Sequence, residues 1–360
     1  MKKRDNDFLT YLSWVFSYPL VKPEILQIDL THRCNLDCKM CNVRQYPVEE
    51  SEELSKEEVF DLLSQAKKLG VTKLVLAGGE PLLRKDIFEI CRYASQTDIE
   101  PVIVSNGTLI DDNLAGIILD NFKGTISISL DGLADAHDYL RGTGSFNKTL
   151  EGIKRIVSRQ QEKGTKDILV LVGLVITRHN YKDLTRVVEL MYELNTGGLY
   201  FVPLIRDNTD LHDTSANQCL WLSPDEINEL TDILGKAQVL AREKGVNLES
   251  KISNEYIIKY FREGIGAGQW LCYGGLKNIF VTLCNPEGQK YFQPYVRICM
   301  GFAGNVRKQK LRDIWFSSRA SKARRKIKYC NSPCMQPCFP GAVPNFYQKL
   351  LNSFLRPTKQ

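Results

Sequence analysis

A chain of 360 residues with 43% apolar and 25% charged side chains is expected to be soluble and globular, with about two domains. No apolar run reaches the roughly 20 residues of a membrane-spanning helix and no secretory cleavage pattern opens the chain, so a cytoplasmic location is expected. In a reducing compartment its eleven cysteines point to metal binding or packing rather than disulfides, and a net charge of +6 calls for a look at where the basic residues lie.

Residues 1–23 carry an aromatic segment, "FLTYLSWVFSYPL", with an amphipathic helical pattern. Strand-like runs then alternate with helical periods. The strands are "ILQIDL", "KLVLAGG", "PVIVSNG", "TISISLDG", "ILVLVGLVI" and "LYFVP". Helices are predicted over Glu57 to Leu69, Lys85 to Gln96, Phe146 to Gln161 and Tyr181 to Leu194, with Ser55 and Asn147 as caps. Six βα units in series imply an α/β fold with a parallel sheet buried on both faces. They are too few for a closed eight-fold barrel, so residues 24–250 read as a partial (βα)6 TIM-like barrel with ligands at the carboxyl ends of the strands. Beyond Gly245 the pattern changes, and residues 264–340 read as a small cysteine-rich domain followed by a tail over 341–360.

The unusual residues sit at the strand ends. Strand one runs into "THRCNLDCKMC", with Cys34, Cys38 and Cys41 spaced C-x3-C-x2-C. A closed structural zinc site takes four ligands, and each iron of a cubane cluster wants a thiolate or a substitute. Three cysteines leave one iron open to a small chelating molecule, which the amino and carboxylate groups of a methionine derivative suit. Strand two ends in "GGEP", strand three in "SNG" and strand four in "SLDG".

This arrangement resembles the radical S-adenosylmethionine (radical SAM) superfamily. The resemblance implies that Cys34, Cys38 and Cys41 hold a 4Fe-4S cluster whose unique iron binds the methionyl group of SAM. It implies further that the backbone of Gly78, Gly79, Glu80 and Pro81, with the Glu80 carboxylate, meets the SAM amino group. Ser105 and Asn106 would line the pocket, Ser129 and Asp131 would lie near the ribose, and Arg141 would meet the SAM carboxylate. Met40 departs from the family, which often has an aromatic residue there, leaving the backbone to serve the adenine. His32, beside the loop, is read as making a local hydrogen bond.

The second group of cysteines, Cys272, Cys284, Cys299, Cys330, Cys334 and Cys338, is spread over "CYGGLKNIFVTLCNPEGQKYFQPYVRIC" and a terminal C-x3-C-x3-C. It resembles the SPASM and twitch auxiliary-cluster domains of the same superfamily. That resemblance implies one auxiliary 4Fe-4S cluster, with Cys272, Cys299, Cys334 and Cys338 as its ligands and Cys330 competing for one corner. Cys284, in an apolar run, is read as core, and Cys91 and Cys219 as packed thiols.

The activity implied is reductive cleavage of SAM to a 5′-deoxyadenosyl radical, with one electron from an external flavodoxin- or ferredoxin-type reductant, followed by oxidation of a substrate. A peptide or protein side chain is the expected substrate, and a small metabolite or lipid precursor is the alternative. About 24 residues precede strand one, too few for a fused peptide-binding domain. Between Arg307 and Lys328, ten Lys or Arg meet one acid, Asp313, so the rest of the chain is net acidic. That stretch reads as a solvated basic face or as a site for phosphates or an acidic peptide, and no nucleic-acid partner is expected. The terminal aromatic segments are read as caps over the barrel bottom and the second domain, with contact to a membrane surface as the other reading.

Overall fold

A computed structural model of the chain describes residues 2–41, 43–205, 219–248, 253–263, 273–285, 291–298 and 301–328. Six parallel strands, β1 (Ile25–Thr31), β2 (Lys73–Gly78), β3 (Glu100–Ser105), β4 (Gly124–Ser129), β5 (Ile168–Ile176) and β6 (Gly198–Pro203), lie side by side in chain order. A helix α1 (Lys2–Phe16) precedes them. The strands alternate with α2 (Lys56–Leu69), α3 (Ile87–Gln96), α4 (Asp112–Asn121), the pair α5 (Ala134–Arg141) and α6 (Ser145–Lys163), α7 (Leu184–Glu193) and, after β6, a helix over Pro224–Lys244. Central β4 is buried along Thr125, Ile126, Ser127 and Ile128, as a parallel sheet buried on both faces requires. This is the partial barrel that the alternating pattern predicted.

The segment set apart by its cysteines shares the barrel's sheet. Strand β7 (Asn278–Cys284) pairs in parallel with β1 from Ile25 opposite Asn278 to Ile28 opposite Val281. Antiparallel β8 (Gln293–Ile298) and β9 (Gly301–Asn305) continue it, making one nine-stranded sheet. The physical reason is that β1, as the first strand of the barrel, would otherwise present an unpaired edge.

Two caps show what local sequence can and cannot fix. Ser55 caps α2 as expected: its hydroxyl accepts the Glu58 N–H, the Glu58 carboxylate accepts the Ser55 N–H, and Gly70 closes the helix at φ 99°. Asn147, expected to cap α6, lies inside its first turn, because the helix begins at Ser145. The cap comes instead from α5, where the Asp138 carboxylate accepts the N–H groups of Gly144 and Phe146 at 2.6 and 2.7 Å. That carboxylate is pushed up by burial, but those two N–H groups outweigh burial and hold it below its ordinary range.

Helix α1 forms as the N-terminal pattern suggested, but its burial is inverted. Thr10, Ser13 and Ser17 face the protein, whereas Phe16 is 65% exposed and Phe8, Leu9 and Tyr18 are exposed as well. Ser13 secures the turn by accepting the Leu20 N–H at 2.8 Å, and Trp14 packs against Tyr273 and Leu276 just before β7. No described helix is long and apolar enough to cross a membrane. In the basic stretch Arg319, Lys322, Arg325 and Lys326 are exposed. Two of its arginines are engaged instead: Arg307 pairs with Glu58 at 2.7 Å, and buried Arg324 donates to Gly275 O at 2.7 Å.

Candidate active site

The carboxyl ends of β1 to β5 converge, and the cysteine loop is tied to four of them. After β1 the chain is held against β2 by main-chain bonds from Gly79 N to Thr31 O at 2.7 Å and from Glu80 N to Arg33 O at 2.8 Å. Gly78 sits at φ 118°, and a Cβ there would stand 2.3 Å from Thr31 O; a Cβ on Gly79 would stand 2.2 Å from Arg33 O. These glycines are therefore demanded by the approach of the cysteine loop itself, whatever ligand lies beyond them. Pro81 then opens a buried short turn, Pro81–Leu83.

Glu80 is the buried centre of this end of the barrel. Its Oε1 accepts the Leu82 N–H and the Ser105 hydroxyl, and its Oε2 accepts the Asn106 N–H at 2.8 Å. Burial pushes its carboxyl above the ordinary range despite those three donors. From the end of β3, Asn106 Nδ2 donates to Asn35 Oδ1 at 2.9 Å, and Asn35 in turn donates to the Thr108 hydroxyl at 2.8 Å. Asn35 lies next to Cys34, so this clasp fixes the loop on the β3 side.

On the β4 side the loop is held by α5. Lys39 N donates to Leu140 O at 2.8 Å, the Lys39 ammonium lies 3.4 Å over the Tyr139 ring, and Tyr139 packs tilted against His179 with ring centroids 4.1 Å apart. Met40 packs against Leu140, Leu204 and Leu220. Arg141 Nη1 reaches Cys38 Sγ at 3.9 Å, and its Nε donates to Asp131 Oδ2 at 2.5 Å. Asp131 N donates to His137 Nδ1 at 3.0 Å, and burial, with the nearby Arg141, pushes that imidazole down to about 4. Ser129 closes β4 opposite Gly173 and is half-buried.

Cys34, Cys38 and Cys41 are free thiols, the first two half-buried and the third exposed. Burial pushes Cys38 up to about 12 and Cys34 upward, with Arg141 acting in the opposite direction on both. At Cys34 and Cys38 burial penalises the bare thiolate, against the Leu36 N–H at Cys34 and Arg141 at both, and such thiols fit a group that brings its own positive charge, as cluster iron does. Among the described residues no group of three His, Cys, Asp or Glu is arranged to hold a single metal ion.

Of the predicted site residues, the three cysteines, Gly78, Gly79, Glu80, Pro81, Ser105, Asn106, Ser129 and Asp131 lie at or just beyond these strand ends, and Arg141, the last residue of α5, reaches them through Asp131 and Cys38. Cys272, Cys299, Cys330, Cys334 and Cys338 fall outside the described residues. Cys284 is buried in β7 and pushed up to about 12 by burial, a core position as read. Cys91 is packed as expected, but Cys219 is exposed, because it lies in a turn before the helix Pro224–Lys244 rather than on an element face. His32 Nδ1 lies 2.8 Å from Tyr46 O, the local bond expected.

Sequence reasoning missed the ion network beneath the loop. Glu53 takes Arg33 Nε and Nη2 at 2.9 and 3.0 Å, Arg84 Nη1 at 3.2 Å and the Thr31 hydroxyl. The adjacent Glu52 accepts the Phe292 N–H at 2.6 Å, so neighbouring carboxylates hold the cysteine loop and the start of β8. The only signal was the acidic run "EESEEL", which reads equally well as a solvated face.

The family model described as the Radical SAM superfamily matches residues 28–191. A probable GTP 3′,8-cyclase from Saccharolobus solfataricus is 30% identical over 233 residues, 62% of this chain and 68% of the relative. The chain belongs to the radical SAM superfamily. An AdoMet-dependent heme synthase from Methanosarcina barkeri is 26% identical over 327 residues, 87% of each chain. Among solved structures, Streptococcus suis SuiB bound to S-adenosylmethionine superposes with a TM-score of 0.61 at 17% identity, over 84% of this chain and 68% of that one. The enzyme anSMEcpe with bound AdoMet and the Cp18Cys peptide gives 0.59 at 16% identity, over 85% and 83%. At these identities the structural likeness is one of fold, and it is the fold of radical SAM enzymes. Membership implies SAM and a 4Fe-4S cluster, which the three thiols of the strand-one loop fit.

Proposed function

We propose that this radical SAM enzyme takes one electron from an external flavodoxin- or ferredoxin-type carrier and oxidatively modifies its substrate, in the cytoplasm. The observation that carries this reading is the loop that bears Cys34, Cys38 and Cys41 in C-x3-C-x2-C spacing, tied by separate bonds to Glu80 N, Asn106 and α5. When bound, the cluster supplies the electron that cleaves the SAM sulfonium and sets free the 5′-deoxyadenosyl radical. The chain's own part is placement. Gly78 to Pro81, Ser105, Asn106 and Ser129 supply the strand ends that receive SAM, and Arg141, held through its Nε, directs its Nη1 toward Cys38. Cys272, Cys299, Cys334 and Cys338 are proposed to hold one auxiliary 4Fe-4S cluster, with Cys330 competing for one corner. Anaerobic reconstitution should give roughly eight irons for two cubanes. Replacing Cys34, Cys38 and Cys41 with Ala should halve the iron and abolish 5′-deoxyadenosine formation under dithionite. Continued formation of that product by the triple variant refutes the assignment.

Two substrate classes follow from different observations. The resemblance of the C-terminal cysteines to auxiliary-cluster domains supports a peptide or protein side chain, with the exposed basic face of Arg319, Lys322, Arg325 and Lys326 to hold an acidic segment. A small metabolite is favoured by the likeness, over 87% of both chains, to a relative named for heme synthesis. Mass spectrometry after turnover with an acidic peptide pool or with a carboxylate-bearing iron porphyrin decides between them. Loss of hydrogen or of carbon dioxide from one and not the other names the class.

A further inference from the structure

The resemblance puts Asp131 near the ribose of SAM, but its surroundings leave the ribose no access to it. The side chain is 0% exposed, and each carboxylate oxygen is already met from within the chain: Oδ1 by Val175 N of β5 at 2.7 Å and Oδ2 by Arg141 Nε at 2.5 Å. Its own N–H goes to His137 Nδ1 at 3.0 Å. A carboxylate oxygen can accept a second hydrogen bond, but only from a group that reaches it, and no surface of Asp131 is open to a ligand. What Asp131 does reach is the guanidinium that ends α5. That guanidinium has Nη1 3.9 Å from Cys38 Sγ, while α5 also holds the next residue of the loop through Lys39 N to Leu140 O.

The geometry points to Asp131 as a positioning residue for the cluster rather than a ribose contact: it fixes Arg141 through Nε so that Nη1 faces the Cys38 sulfur. A ligand thiolate so approached shares its negative charge with a donor held rigidly in place, and such outer partners orient the ligand and tune the metal. Val175 N sets the distance, since it anchors the carboxylate to the neighbouring strand. Loop, helix and strands β4 and β5 thereby act on one sulfur through one carboxylate. This assignment rests on the SAM-cluster reading above and adds the route by which the barrel acts on the cluster before SAM arrives.

The test uses the reconstituted full-length enzyme and Asp131→Asn, which keeps the shape but offers only one acceptor oxygen to two donors. Affinity is measured for SAM and for SAM analogues lacking the ribose 2′- or 3′-hydroxyl, together with the EPR spectrum of the reduced protein without SAM. Signals that survive in the triple cysteine variant are subtracted. Expected is a loss of affinity by the same factor for SAM and both analogues, and a changed SAM-free spectrum. A loss confined to SAM, so that the variant no longer distinguishes it from an analogue, with the SAM-free spectrum unchanged, makes Asp131 a ribose contact and overturns the proposal. Wild-type values throughout also overturn it. Should Asp131→Asn fail to fold, Arg141→Lys approaches the same link from its more accessible side. It keeps the charge, loses the second arm, and is expected to move the SAM-free spectrum while leaving the ratio of SAM to analogue affinities unchanged; an unmoved spectrum overturns the proposal. A wild-type protein that binds no cluster refutes the functional reading itself, before any variant is compared.

Discussion

Substituting Glu53 with Gln should destabilise the protein more than any surface charge change would. The Glu53 side chain is 1% exposed and accepts from two arginines, one on the cysteine loop and one after the "GGEP" turn. Removing one partner of a buried ion pair costs about 3–5 kcal/mol. Two features place this site at the low end. Arg33 is 35% exposed, so water takes over much of its share, and Arg84 keeps Asp86 at 2.6 Å and Leu54 O at 2.9 Å. An expected loss of about 3 kcal/mol, set against an unfolding entropy of about 2.1 cal/mol/K per residue, lowers Tm by about 4 °C. Thermal unfolding followed by circular dichroism measures it. A double-mutant cycle with Arg84→Gln should show coupling of about 1 kcal/mol or more, because both groups are buried and in contact. A loss below about 0.5 kcal/mol, the range of ordinary surface substitutions, or additive effects in the cycle, would refute the reasoning.

Gly79→Ala should cost about 1–3 kcal/mol, since the new Cβ meets Arg33 O at 2.2 Å and the loop must move; wild-type stability together with wild-type iron content would show that the approach is not as tight as stated. His137 gives a pH signature in the cluster-free protein. Its folded pKa is depressed to about 4 against about 6.5 when unfolded, so the unfolded state binds the proton first. Stability should therefore fall by up to about 1.4 kcal/mol per unit as pH drops from about 6.5 to about 4, and this component should vanish in His137→Gln. An equal slope in both proteins would mean that other groups carry it.

The parallel barrel was legible in the sequence because its evidence is local: β-branched runs, helical periods and the Ser55 cap each lie within about a dozen residues. The cysteine loop and "GGEP" were legible for the same reason, as chemistry concentrated at the ends of predicted strands. Partnerships between distant segments were not. Nothing near Asn278 announces that β7 lies against β1, since a continuous apolar run suits any buried strand and pairing depends on which edge remains open. The cap of α6 comes from Asp138 on the preceding helix, although Asn147 has the composition of a cap. Glu53 lies in an acidic run that reads as solvated until Arg33 and Arg84 are brought onto it, and α1 buries Thr10 and Ser13 while Phe8 and Phe16 face outward. Residue spacing determined which groups reach the carboxyl ends of the strands. Only the tertiary structure decided which of them face outward and which, like Glu80 and Asp131, are fully buried with both carboxylate oxygens met by the chain's own donors, because burial is set by elements far apart in sequence.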